Sequence, residues 1–221
     1  MDIREEAGVM KNKDEIRTML KEAGILFGIT LLSGLLLGFV YELTKEPRRL
    51  QQEKTIQEAC VAVFPKAEEQ GITLNFEDAN YVPDEALAAE LAETNVEIGT
   101  VYTAYNNGSC YGYVVEATSS KGYGGDIVLY VGVGADGTVN GVSITEIKET
   151  AGLGMEAPNV LTPQFADKKV QSFTYVKNGA SAENEVDAIS GATITTRAVT
   201  NAVNGGLRVA LELLEGGAVN E

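Results

Sequence analysis

From Ala23 to Tyr41 the chain reads AGILFGITLLSGLLLGFVY, without one charged residue. As a helix rising about 1.5 Å per residue, these roughly 19 residues span about 28 Å, the thickness of a bilayer's hydrocarbon core. A water-soluble helix keeps a polar face over such a length, and this run has none, which disfavours a buried helix of a soluble core. A cleaved signal peptide fits no better, because the run begins late, is too long for an h-region and has no A-x-A-like site behind it. The expectation is an uncleaved membrane helix over 23–41, preceded by a short segment over 1–22 and followed by a long domain.

The flanks say little about direction. Arg4, Lys11, Lys13, Arg17 and Lys21 precede the span, and Lys45, Arg48, Arg49 and Lys54 follow it. By the positive-inside rule this leans only slightly toward an N-terminus on the cytoplasmic side. Gly24 and Gly28, and again Gly34 and Gly38, have the small-xxx-small spacing that lets helices approach closely in lipid, although glycine is common in membrane helices in any case.

Composition excludes several functions. The 221 residues are 44 % hydrophobic and 22 % charged, as in one medium-sized globular domain with an appendage. A net charge of −15 repels nucleic acid. With no histidine anywhere, the chain cannot assemble a Ser-His-Asp triad. Cys60 and Cys110 are far apart and lack CxxC spacing, so no metal or iron–sulfur site is expected. They read as two buried thiols or as one disulfide.

Beyond the span, Leu50, Ile56, Ala59 and Val63 recur at helical spacing until Pro65 and Gly71 interrupt them. An extended piece over 72–76 and a short helix opened by Pro83-Asp84-Glu85 follow. IGTVYTAY and CYGYVVEAT flank Asn107-Gly108, and DIVLYVGVGA and TVNGVSITEI flank Asp136-Gly137, which predicts two hairpins with positive-φ turns. A short helix from about Pro158 to Lys168, a strand over 170–176 and a terminal helix over about 192–214 complete an α+β pattern. On that last helix Val199, Val203, Leu207, Ala210 and Leu214 form a core-facing stripe.

The head of the terminal helix carries the chemistry. DAISGATITTRAV, Asp187 to Val199, has the hydroxyls of Ser190, Thr193, Thr195 and Thr196. Ser190, Gly191 and Ala192 leave backbone amides uncovered where the helix dipole favours an anion, a setting that holds phosphate without Lys or Arg. Ser190 serves equally well as an ordinary N-cap.

The order Asp187, then Ser190-Gly191-Ala192-Thr193, resembles the flavinylation motif D-x-x-S-G-A-T of the FMN-binding domain family, found in the G subunit of the Rnf complex and in the C subunit of the sodium-pumping NADH:quinone oxidoreductase. Glu149 to Gly154, ETAGLG, is similar to the family's E-T-P-G-L-G loop beside the flavin, with Ala151 in place of proline. Ser119 to Ile127, SSKGYGGDI, resembles the glycine-rich segment of Rnf-type members and presents Tyr123. Each is ambiguous alone, since glycine-rich stretches also serve as plain connectors.

The resemblance implies FMN joined through its phosphate to Thr193 by a flavin transferase that recognises Asp187. It implies Ser190, Gly191, Ala192, Glu149, Thr150, Gly152, Leu153 and Tyr123 as the flavin's surroundings, and Thr195 and Thr196 as helix-turn residues. The domain layout it implies is 1–22 cytoplasmic, 23–41 spanning, 42–95 connecting and 96–221 FMN-binding on the outer side of the cytoplasmic membrane. The implied role is an electron-carrying subunit of an ion-translocating ferredoxin:NAD oxidoreductase, neighbouring the D, A and E membrane subunits of the complex. Two alternatives are the equivalent subunit of a quinone reductase or another extracytoplasmic flavin chain, and a membrane-anchored module that binds a phosphorylated ligand reversibly.

Overall fold

The structure is a computed structural model that describes residues 3–217, with side chains from residue 16. The side chains of Arg4, Lys11 and Lys13 and the chain ends at 1–2 and 218–221 lie outside the described residues. Helix α1 covers Ile3–Ala62, and the chain divides into two compact units, Met1–Lys54 and Thr55–Glu221.

In the first unit the apolar side chains of the expected span, among them Leu31, Leu35, Leu37 and Phe39, are all exposed. Water tolerates no such surface, and a lipid core does. Among the described residues there is one helix long and apolar enough to cross a membrane. Thr30 returns its hydroxyl to Leu26 O at 3.0 Å and Phe27 O at 2.9 Å, which satisfies the one threonine of the run without a partner outside the helix. A Cβ added at Gly24, Gly28, Gly34 or Gly38 would meet nothing within 4 Å, so no contact within the chain requires these glycines.

The second unit is built on a five-stranded antiparallel meander, β1 (Asn75–Asp78), β2 (Val96–Asn106), β3 (Ser109–Ser119), β4 (Ile127–Gly134) and β5 (Val139–Glu146), in sequential order. Alternation along β3 and β4 points Val115, Ala117, Leu129, Val131 and Val133 to one face and Val114 and Tyr130 to the other. Helix α5 (Thr193–Gly217) covers the first face, with Val199, Val203, Leu207 and Ala210 fully buried and Leu214 at the margin. Gly206 lets the helix sit close, since a Cβ there would come 2.8 Å from Val131 Cγ2. Helix α3 (Glu85–Thr94) adds Leu87 and Leu91 to the same core, its first turn capped by the Asp84 carboxylate, which accepts from Leu87 N at 2.8 Å.

The other face is filled by Ala59, Cys60, Val63 and Phe64 together with Ala67 of the short helix α2 (Pro65–Glu69). Gly132 and Gly141 are register partners, and both present bare backbone to Val63. A Cβ on Gly132 would come 2.6 Å from Val63 Cγ2, and one on Gly141 3.0 Å from Val63 O. Leu50, Ile56 and Ala59 lie on one helix, as their spacing predicts, with Leu50 57 % exposed. Cys60 and Cys110 are both free, Cys60 buried and Cys110 exposed near the β2–β3 turn, so neither the disulfide nor the pair of buried thiols is present. Burial pushes the Cys60 thiol up to about 12.

Both hairpins form where expected, by different turns. Asn107 and Gly108 both take positive φ, 49° and 84°, the two-residue type I′ geometry. At the second, only Gly137 does, at 83°, and Gly137 N bonds Gly134 O at 2.8 Å. Asp136 avoids positive φ because its carboxylate accepts from Thr138 N at 3.0 Å and Thr138 Oγ1 at 2.8 Å, bonds that also lower its pKa. The single helix expected over 158–168 is broken into a 3-10 turn (Gly154–Glu156), α4 (Ala157–Val160) and a second 3-10 turn (Thr162–Phe165), each of the last two with a proline in its first turn. The strand expected over 170–176 shrinks to β6 (Thr174–Val176), paired in parallel with β7 (Glu185–Asp187), which the polar sequence around it concealed.

Three outcomes follow from this packing. Gly132→Ala drives a methyl into Val63 and is expected to destabilise the second unit by about 1–3 kcal/mol, read as a lower Tm of the detergent-solubilised chain. Thiol titration at pH 8 is expected to find Cys110 in the native protein and Cys60 only after denaturation. Raising the pH from the ordinary thiol range toward about 12 should progressively remove the stability held in the neutral Cys60 thiol, since the unfolded chain ionises first.

Candidate functional site at the head of helix α5

The first turn of α5 opens a cleft of about 530 Å3 lined by Tyr123, Glu149, Thr150, Leu153, Gly154, Gly191, Ala192, Thr193, Ile194 and Thr195. Three chain segments distant in sequence meet there: the β3–β4 connection, the loop after β5, and the turn between β7 and α5. Burial of the α5 stripe on the sheet carries the helix head to this place, and the loop after β5 meets it as the opposite wall.

That loop is folded on itself. Thr150 O accepts from Leu153 N at 3.1 Å and Met155 N at 3.2 Å, and Gly152 completes the turn at φ 74°. Glu149 ties it to the glycine-rich segment by accepting from Tyr123 N at 2.7 Å. Gly124 is bare because a Cβ there would run into Lys148 O. The clamp leaves the Tyr123 ring 71 % exposed at the cleft mouth, beside Leu153 and Ile194, which are 38 % and 43 % exposed. Large apolar side chains gathered on open surface mark a place where something apolar packs.

The helix head offers the complementary chemistry. Thr193, its first residue, is exposed, and the amides of this first turn have no acceptor within the helix. The first turn has no acidic residue, so no carboxylate of its own neutralises the dipole. Ser190 is not the N-cap, since the helix begins three residues later. The turn before it is closed by Thr196, whose Oγ1 accepts from Ile189 N at 3.1 Å and donates to Ala192 O at 2.9 Å. Gly191 takes φ 77°, a conformation strained for any other residue there, and a Cβ on it would press on Leu153 Cδ2 at 3.1 Å.

Of the residues proposed from the sequence, the cleft brings together Tyr123, Glu149, Thr150, Leu153, Gly191, Ala192 and Thr193. Gly152 and Ser190 stand beside it without lining it. Asp187 is elsewhere: its carboxylate accepts from Ala180 N at 2.9 Å, and Gln164 clamps its backbone, accepting from Asp187 N at 2.7 Å and donating to Asp187 O at 3.2 Å. Gly154 and Ile194 line the cleft without having been singled out, and Thr195, expected only as a helix-turn residue, lines it too. Gly154 closes the ETAGLG run, while Ile194 and Thr195 follow Thr193 directly, and only the rotation of the helix reveals which way they face.

Comparison with known proteins agrees with this geometry. Residues 122–208, which contain every lining residue, match the FMN-binding domain family. The chain is 31 % identical over 207 residues, 90 % of itself and 97 % of the relative, to the G subunit of the Na(+)-translocating ferredoxin:NAD(+) oxidoreductase complex of Acetobacterium woodii. It is 45 % identical over 103 residues, 46 % of itself and 55 % of the relative, to the G subunit of the proton-translocating ferredoxin:NAD(+) oxidoreductase complex of Clostridium ljungdahlii. It is 30 % identical, over 85 % of itself and 88 % of the relative, to the G subunit of the ion-translocating oxidoreductase complex of Aliivibrio fischeri. The fold is shared with the C subunit of the Na(+)-translocating NADH-quinone reductase of Parabacteroides distasonis, at a TM-score of 0.53 and 23 % identity over 75 % of this chain and 94 % of that one. With similarity running nearly end to end of both chains, this protein belongs to the family of G subunits of the ion-translocating oxidoreductase (Rnf) complexes.

Proposed function

We propose that the chain carries FMN bonded through its phosphate to Thr193 Oγ1, and that it serves as an electron-carrying subunit of a membrane-bound, ion-translocating ferredoxin:NAD oxidoreductase. The observation that carries this reading is the exposed Thr193 hydroxyl on a helix terminus free of acidic side chains, in a cleft with apolar walls. The donor set fits the group. First-turn amides and the dipole suit a phosphate, exposed Tyr123, Leu153 and Ile194 suit a flat aromatic ring, and the volume is within the range of ligand clefts.

The bond-making needs no base from this chain, which has no histidine. A flavin transferase takes FAD as donor: Thr193 Oγ1 loses its proton and forms the new O–P bond, the pyrophosphate P–O bond of FAD breaks, and AMP leaves. Bound FMN supplies reversible one- and two-electron chemistry that no side chain here supplies. The residues do the rest. The α5 amides orient the phosphate, the Glu149 to Tyr123 N bond fixes the height of the aromatic wall, and Gly191 lets Leu153 close on the helix head. Residues 96–221 are the flavin-carrying domain in this account, and the packing of Ala59 to Ala67 on the sheet supports it from 42–95.

Ion translocation needs neighbours, since the one candidate membrane helix among the described residues is apolar and offers no ion route. We assign ion transport and electron exchange with the flavin to neighbouring subunits, the D, A and E membrane subunits, and place the flavin on the extracytoplasmic side, where a tether prevents irreversible loss of cofactor to the medium. Related flavin chains ending on quinone would use the same cleft.

Thr193→Ala in the full-length chain, coexpressed with a flavin transferase, is expected to abolish the fluorescent band on a denaturing gel. A retained band would contradict the tether, and flavin or phosphate that binds the native protein but washes away on denaturation would favour the reversible module. Asp187→Asn keeps an oxygen for Ala180 N while removing the charge, so the transferase-recognition role predicts at least tenfold slower loading at an unchanged Tm. Normal loading would contradict that role.

A further inference from the structure

Thr195 is a part of the cleft that the tether leaves unused. It is 1 % exposed and lines the cleft beside Thr193 and Ile194. Among the described residues its hydroxyl has no hydrogen-bond partner. Its neighbours behave differently: Thr196 Oγ1 donates to Ala192 O at 2.9 Å and Thr200 Oγ1 to Thr196 O at 2.8 Å. Thr195 does not follow them: the carbonyl four residues back, Gly191 O, belongs to the positive-φ turn ahead of the helix, and the one three back, Ala192 O, is already taken by Thr196 Oγ1 and by Thr196 N at 2.9 Å.

The opposite wall is shaped for this hydroxyl. Gly154 is buried, and a Cβ there would come 2.6 Å from Thr195 Oγ1 and 2.8 Å from Glu149 Cβ. Residues two apart on a helix project about 200° apart, so the hydroxyls of Thr193 and Thr195 face different ways. One is directed to the open helix head, and the other to the inner cleft wall formed by 149–154. A buried hydroxyl without a protein partner, aimed into a cleft, is a hydrogen bond waiting for a ligand.

We propose that Thr195 Oγ1 is a cofactor-binding hydroxyl that hydrogen-bonds the polar edge of the flavin ring, while the phosphate remains with Thr193 and the first-turn amides. The assignment rests on the FMN reading above. A threonine hydroxyl both donates and accepts, so it can serve a ring carbonyl or a ring nitrogen. A bond donated to the ring favours its electron-rich reduced form in a site partly screened from water, which makes the flavin easier to reduce.

The test uses the full-length chain, coexpressed with a flavin transferase and purified in detergent, as wild type, Thr195→Val and Thr195→Ser. Visible absorption, the midpoint potential by spectroelectrochemistry and the 31P resonance are measured on each. Valine keeps the shape and removes the hydroxyl. The expected result is covalent flavin at wild-type level in all three, with shifted absorption bands and a lower midpoint potential in the valine variant, and both restored by serine. An unchanged spectrum and potential in Thr195→Val would overturn the assignment. So would a shift confined to the 31P resonance, which would put the hydroxyl on the phosphate, or a loss of loading confined to the valine variant, which would make Thr195 a transferase determinant. Wild type without covalent flavin would instead refute the tether itself, so the two failures are separable.

Discussion

Burial of one helical stripe on one sheet face is the interaction on which the rest depends. Val199, Val203, Leu207 and Ala210 have no exposure, and Gly206 lowers α5 onto Val131 until no methyl would fit between. At roughly 25 cal/mol per Å2 of apolar surface, four such side chains anchor the helix by several kcal/mol. A rigid helix anchored along its length has its first turn fixed as well. Thr193 is thereby presented without any catalytic scaffold of its own, and the wall opposite needs only a short loop, tied by Glu149 to the Tyr123 segment.

The sheet that receives α5 is itself covered on both faces, which explains the near-complete burial of β4. On the far face the covering element is the end of α1, and Gly132 and Gly141 mark where its backbone meets the sheet. Residues 59–67 are thus part of the core of the second unit. A cysteine at position 60 is then simply a small apolar residue in a tight layer, its thiol held neutral by burial.

Legibility in the sequence tracked the range of the interaction that decides each feature. Features set by local chemistry were readable: the uncharged run 23–41, the Asn107-Gly108 turn, the helix opened by Pro83-Asp84-Glu85 and the 3.6-residue stripe of α5. Features set by distant partners were not. β7 is three residues of Glu-Val-Asp whose strand character comes from pairing with β6. The same division holds in the cleft. Its members were named from contiguous motifs, but the inward face of Thr195 and the bare surface of Gly154 depend on how the helix is rotated against the loop, which no spacing rule conveys. Ser190, attractive as a cap by residue type, stands three residues ahead of the helix, and the turn there is closed instead by Thr196, whose Oγ1 accepts from Ile189 N.

On the proposed reading, a helix terminus suited to phosphate and a hydroxyl esterified by another enzyme would together account for a redox subunit in a chain without histidine. The most direct test is the intact mass of the full-length protein made with and without a flavin transferase, followed by peptide mapping. The account predicts a gain equal to FMN less one water, present only with the transferase and carried by the peptide containing Thr193. No gain, or a gain on a peptide lacking Thr193, would contradict it.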